Sequence, residues 1–205
     1  MVIGRPDIPV PRWTWAWCDD VGYELVRRPA DALDFGPGGD EWSRLAIDVA
    51  ALGAAGSAVL VSRGTWRDHD SMRVVAAIED LPDDEPVLVD AAASASRLGS
   101  SLQLVHGVPV SFAERSVGLD AALARGMSVL EDGLEFLTAH GAAANASTRL
   151  LRARPHELVN EQLEADLLVV GGARLGPSGR LGLVALSAMQ HAPCPVLLTP
   201  RMPLG

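Results

Sequence analysis

The chain of 205 residues predicts an α/β fold: an open, doubly wound, five-stranded parallel sheet, preceded by an N-terminal hairpin and a helix–strand extension. Three observations predict it. From Arg73 onward, short apolar runs alternate with amphipathic Ala/Leu-rich stretches, the pattern of strands joined by helical crossovers. Leu167, Leu168, Val169 and Val170 are continuously apolar, as expected of a strand covered on both faces. Gly171 and Gly172 follow at once. A strand that runs into a glycine-rich loop and then a helix is how α/β proteins hold phosphate. Glycines admit the backbone closely, and helix N–H groups point at the anion.

The first part of the chain carries all five tryptophans: Trp13, Trp15, Trp17, Trp42 and Trp66. Trp13, Trp15 and Trp17 alternate with Thr14 and Ala16, and period two predicts a strand with one aromatic face. Residues 18–22 turn it into a second strand over 23–28, which makes the hairpin. Residues 35–39 (FGPGG) form a loop. Trp42, Leu45, Ala46, Val49 and Leu52 have helical spacing over 40–52, and 58–62 (AVLVS) is a short apolar strand. The polar run 67–71 divides the chain into an extension, 1–70, and a second domain, 71–205.

In the second domain, 73–78 (RVVAAI) is a strand, followed by the acidic loop 79–85. Pro86 suits the first turn of a helix, where its missing N–H does no harm. Gly99 stops that helix. Residues 101–108 (SLQLVHGV) make the second strand, 119–140 a helix ended by Gly141, and 147–152 the third strand. A short helix over 155–163 precedes the fourth strand, 167–170. Residues 180–191 form the last helix and Val196 to Thr199 the fifth strand. Ligands of such sheets sit beyond the carboxyl ends of the strands, where the strand order reverses.

Composition narrows the chemistry. A formal charge of −9 and a pI near 4.9 argue against nucleic acid as a partner. All 17 basic residues are arginine, which removes the P-loop lysine and any Schiff base. Cys18 and Cys194 lie far apart and outside any CxxC pair, so each reads as a reduced thiol. The start of the chain has neither a charged nor an apolar leader segment, and no uncharged apolar run approaches the ~18 residues of a membrane span. The expectation is a cytoplasmic protein that does not meet membranes.

The five histidines lack HxxxH spacing and a nearby cysteine pair, so no metal site is expected. There is no GxSxG elbow, and no catalytic residue is assigned. His106 reads as a packed strand histidine. The acidic run 79–85 reads either as a helix start favoured by the macrodipole or as a metal or ribose site. In GGARLGPSGRLG, Pro177 and Ser178 read either as a turn and helix cap or as part of a phosphate loop.

Residues 41–64 look like residues 180–202: each is an amphipathic Ala/Leu helix, a short break and an apolar strand. Together with the opening RVVAAIED, the strand LQLVHGVP, the sequence EADLLVVGG and the closing HAPCPVLL, the chain resembles the universal stress protein family over about residues 72–201. That resemblance implies an adenine-nucleotide alpha-hydrolase-like sheet. The extension would be the tail of a truncated first domain. The family holds ATP with G-x-x-G, nine residues, then G-S or G-T. Gly172 and Gly182 keep the nine-residue spacing, but Val169 then stands where the first glycine belongs. With Gly171 first, Arg174 replaces the second glycine. Leu183 replaces the Ser/Thr in either register, which removes a phosphate hydrogen bond worth about 1.5–3 kcal/mol. Glu79 stands where the family's nucleoside-facing aspartate belongs, with Asp80 beside it. Arg174 and Arg180 are candidates to offset the losses.

The resemblance thus implies a nucleotide site made from Ala77, Glu79, Asp80, Val105, Gly171, Gly172, Arg174, Gly176, Ser178, Gly182, Leu183 and Val184, with ATP as its ligand. It also implies a stress-response protein that works by nucleotide-dependent or nucleotide-free association with a protein partner. The alternatives are a weak ATPase or adenylyl-transfer enzyme at the glycine-rich loop and a scaffold that binds no nucleotide. Family members pair their last strands between two subunits. Here Val196 to Thr199 would form either a homodimer or, with strand 58–62, an intramolecular pseudo-dimer.

Overall fold

Period-two alternation decides which face of a sheet each side chain enters, and it organises this molecule. The computed structural model describes residues 2–4, 25–27, 40–62, 72–108, 118–154, 157–159, 163–176 and 179–202. Their elements are β1 (Val2–Gly4), β2 (Leu25–Arg27), α1 (Asp40–Ala54), β3 (Val59–Val61), β4 (Arg73–Ala77), α2 (Glu85–Leu98), β5 (Ser101–Gly107), α3 (Leu119–Ala139), β6 (Ala146–Leu151), β7 (Leu167–Arg174), α4 (Leu183–His191) and β8 (Val196–Arg201).

The strands form one sheet in the order β2-β1-β3-β8-β7-β4-β5-β6. The five strands β4 to β8 are mutually parallel, as the alternating pattern predicts. The chain leaves β4 toward β5 and β6, then returns to β7 and β8 on the other side, so the strand order reverses between β4 and β7. One face buries Val74, Ala76, Leu102, Leu104, Leu167, Val169 and Leu197 with Val87, Leu88 and Ala91 of α2 and Leu130 and Leu137 of α3. The other buries Val75, Val105, Leu168, Val170, Val196 and Leu198 with Leu45 and Val49 of α1 and Ala188 and Met189 of α4. Residues adjacent in sequence thus enter opposite cores.

The sheet has more strands than expected. β3 joins it as a sixth strand, antiparallel to β8, with Val59 opposite Leu198, Leu60 opposite Leu197 and Val61 opposite Val196. β1 and β2 continue the sheet beyond it. The fully buried Val59, Leu60 and Val61 explain why: an apolar three-residue strand gains most when both of its faces are covered. The expected hairpin lies partly outside the described residues. Its described portion, β2, pairs in parallel with β1, and parallel neighbours need a crossover instead of a tight turn. The tryptophan stripe and most of the helix expected over 155–163 also lie outside the described residues.

Three boundaries differ from the sequence reading. β7 does not end at Val170; it continues through Gly171 and Gly172 to Arg174, with a register irregularity between Gly171 and Arg174. The glycine-rich loop therefore begins only after Arg174. The last helix begins at Leu183 instead of Arg180. The last strand continues past Thr199 to Arg201. The first helix of the second half, Glu85–Leu98, is stopped by Gly99 as expected, and the φ of 59° at Gly99 is the left-handed geometry that favours glycine. Among the described residues no helix is long and apolar enough to cross a membrane.

Candidate functional site

The sheet parity that fills the two cores also delivers polar groups to its carboxyl rim. A cavity of about 530 Å³ opens there at the switch point between β4 and β7. Its floor is Ala77, Ile78 and Glu79 from the end of β4, His106 and Gly107 from β5, and Gly171 from β7. Its far wall is the start of α4, Gly182 to Ala185. Gly182 has no side-chain cap, and the first N–H groups of any helix lack an intrahelical partner. The macrodipole adds partial positive charge at the same place.

Arg201 closes the cavity from the end of β8. Counting by two from Leu197 through Thr199 puts Arg201 on the α2 side of the sheet. Its side chain crosses β7 at Gly171, where a Cβ would stand 2.5 Å from Arg201 Cδ. Glycine is what allows that crossing. Arg201 Nε then lies 2.8 Å from Asp84 Oδ1, and Nη1 lies 3.5 Å from Glu79 Oε2. Asp84 is buried, with a side chain only 3% exposed. Its other oxygen, Oδ2, accepts the Glu79 N–H at 2.6 Å and the Asp80 N–H at 3.3 Å. Burial pushes the Asp84 carboxyl above its usual range, and Arg201 and the two N–H groups pull it back. The β4–α2 turn is thus folded around one carboxylate that carries a guanidinium as its counterion.

His106 Nδ1 lies 2.9 Å from the Ile78 carbonyl oxygen. A carbonyl only accepts, so Nδ1 carries the proton in this bond. The ring pins the end of β4 to β5 and also lines the cavity. Its expected role as a packed strand residue accounts for only part of this placement.

Of the residues singled out from the sequence, Ala77, Glu79, Gly171, Gly182, Leu183 and Val184 come together in this cavity. Asp80 and Arg174 line a neighbouring polar cleft of about 380 Å³ with Asp83 and Arg125. There Arg174 donates to the Asp83 carboxylate and, at 3.0 Å, to the Met202 carbonyl. Its hydrogen bond holds the Asp83 carboxyl below its usual range. Arg180 is exposed and is not part of the cavity lining. Val105 is wholly buried among the α4-side residues. Gly172 lies within β7, where a Cβ would stand 3.1 Å from the Thr199 carbonyl oxygen. Gly176 sits in the turn after β7 and donates its N–H to the Ala54 carbonyl. Ser178 lies outside the described residues. The sequence reading offers Asp84 only within the acidic run 79–85 and does not offer Arg201, although strand parity from Leu197 points Arg201 to the α2 face. Among the described residues no group of three or more His, Cys, Asp or Glu is placed to hold a metal ion.

Comparison with known proteins follows the same geography. The model of the universal stress protein family matches residues 71–200. No curated protein matches the sequence. Among solved structures, the chain is similar to a universal stress protein from Archaeoglobus fulgidus, with a TM-score of 0.53 and 24% identity, covering 62% of this chain and 98% of that one. It is also similar to the Archaeoglobus fulgidus universal stress protein in complex with dAMP, with a TM-score of 0.51 and 23% identity, covering 64% of this chain and 99% of that one. A Pseudomonas aeruginosa protein of unknown function gives a TM-score of 0.52 at 15% identity, over 98% of this chain and 81% of that one. At these identities the likeness is one of fold.

Proposed function

The chain belongs to the universal stress protein family, and from that membership we propose that it binds an adenine nucleotide in the rim cavity and acts by association, not turnover. The observation that carries this reading is the cavity itself. It stands at the switch point of the sheet, between the carboxyl ends of β4 and β7 and the open start of α4. Its volume of about 530 Å³ lies in the range of small-molecule sites, and its lining is mostly apolar, which suits a base. A related fold from Archaeoglobus fulgidus holds dAMP. Turnover has less support: the two cavity carboxylates, Glu79 and Asp84, both face Arg201 instead of standing free as a base or a Mg²⁺ ligand.

In this reading the protein serves a cytoplasmic stress response through a protein partner, with β3 standing in for the strand a second subunit would supply to β8. A strand edge left unpaired needs a partner, and β3 fills that place within one chain. One observation favours the second reading, a scaffold without nucleotide: the exposed Leu183 occupies the position where a hydroxyl is expected. Calorimetry of the full chain with ATP, ADP and AMP separates the two. Saturable binding tighter than millimolar is expected for the nucleotide reading; absent or millimolar binding favours the scaffold. Mass spectrometry of denatured protein for a nucleotide carried through purification provides an independent check.

A further inference from the structure

Building on the nucleotide reading, we propose that Arg201 is the anion-recognising residue of the cavity and that Glu79 is a tethered competitor for it, not a reader of the nucleoside. Arg201 is the one arginine that lines the cavity among the described residues. Its guanidinium is held from behind: the side chain lies over Gly171 and Nε faces the buried Asp84. That contact is an ion pair in which Nε makes no well-aligned hydrogen bond, so Asp84 holds the group by charge and the Nη donors point elsewhere. Glu79 meets Nη1 at 3.5 Å with a side chain 76% exposed. An exposed pair at that distance is weak. A phosphate that accepts two N–H bonds from the fork is a stronger partner.

The two carboxylates therefore differ in kind. Asp84 is fixed by the Glu79 and Asp80 N–H groups and stays with Arg201. Glu79 is an exposed rim anion that an arriving phosphate would displace. The start of α4 presents Leu183 where a hydroxyl would help, so Arg201 supplies the counter-charge that this wall lacks. The ligand class is a nucleoside carrying a phosphate close to its sugar.

The test uses the full chain, labelled so that arginine Nε–H resonances can be followed, with AMP, adenosine and inorganic phosphate as probes. Glu79→Gln is expected to tighten AMP by about two- to fivefold and to leave adenosine unchanged. It alters an exposed side chain and keeps the buried pair, so the result does not depend on Arg201→Gln folding. Where Arg201→Gln folds, AMP is expected to weaken by about tenfold or more, with adenosine little changed. Inorganic phosphate is expected to shift the Arg201 Nε–H resonance, at lower concentration in Glu79→Gln. If Glu79→Gln weakens AMP and adenosine alike, Glu79 reads the nucleoside and this proposal fails while nucleotide binding stands. If no nucleotide binds but phosphate still moves the Arg201 resonance, the nucleotide reading fails and the anion site stands. A resonance unmoved by phosphate overturns the proposal.

Discussion

Arg201 and Asp84 meet at 2.8 Å across the carboxyl rim of the sheet, joining the end of the last strand to the turn that opens α2. Both are largely withdrawn from water, with side chains 15% and 3% exposed. Removing one member of a buried pair leaves the other charge without its counterion. Asp84→Ala also strips the Glu79 and Asp80 N–H groups of their acceptor. We expect it to cost about 3 kcal/mol in urea unfolding. Replacing both residues with apolar ones of similar volume is expected to cost less than Asp84→Ala alone.

Gly171→Ala tests the crossing of Arg201 over β7. The new Cβ would meet Arg201 Cδ at 2.5 Å. A flexible arginine stem can move, so the protein is expected to fold with a loss of about 1–2 kcal/mol. The larger effect should fall on the cavity, as a displaced Arg201 Nε–H resonance and weaker AMP binding. An unchanged resonance would show that the crossing is not tight.

Leu183→Ser restores a hydroxyl at the start of α4. Leu183 is 73% exposed, so stability should change little. If the rim cavity holds nucleotide phosphate against this helix, affinity for ATP should rise by about tenfold, measured by calorimetry. No gain would place the phosphate elsewhere in the cavity.

Asp90 on α2 accepts a hydrogen bond from the Thr199 hydroxyl at 2.8 Å. Burial raises its carboxyl above the usual value, opposed by Thr199 and by the Arg97 charge. Folding therefore makes this carboxyl harder to ionise. The stability this contributes is complete below the unfolded-state value near 3.8 and is lost as pH rises through the higher native value. Asp90→Asn keeps an acceptor for Thr199 without the buried charge. Its thermal midpoint should equal or exceed that of the parent at pH 7, and the advantage should shrink as pH falls toward 4. A constant offset across that range would refute the assignment.

Cys194 is buried, and its thiol is pushed up to about 12, chiefly by burial. In a Cys18→Ser protein, a thiol reagent at pH 8 should label Cys194 only at the rate of unfolding. Fast labelling of folded protein would contradict the burial.

Deleting residues 1–70 would remove β3 and uncover the edge of β8 at Val196, Leu197 and Leu198. Light scattering after size exclusion should then show more self-association than the full chain does. An unchanged oligomeric state and solubility would end the idea that β3 caps the sheet in place of a second subunit.

Local pattern alone was enough to read the five parallel strands and the helices α2, α3 and α4. The alternation in Arg73–Ala77 and the apolar run that opens Leu167–Arg174 report burial directly, because a side chain's face follows from its position along the strand. The resemblance to the universal stress protein family, not periodicity, singled out Ala77, Glu79, Gly182 and Leu183, and all four line the rim cavity. Tertiary structure decided what those residues meet. That Gly171 belongs to a strand and not a loop depends on its pairing with Thr199 of the last strand. That Arg174 turns to Asp83 instead of the cavity depends on where α2 begins. The pairing of β3 with β8 joins Val59 to Leu198, far apart in the chain. Periodicity encodes which way a side chain faces; it carries no record of which distant backbone will lie beside it, and charge pairing across such contacts is settled only when the chain closes on itself.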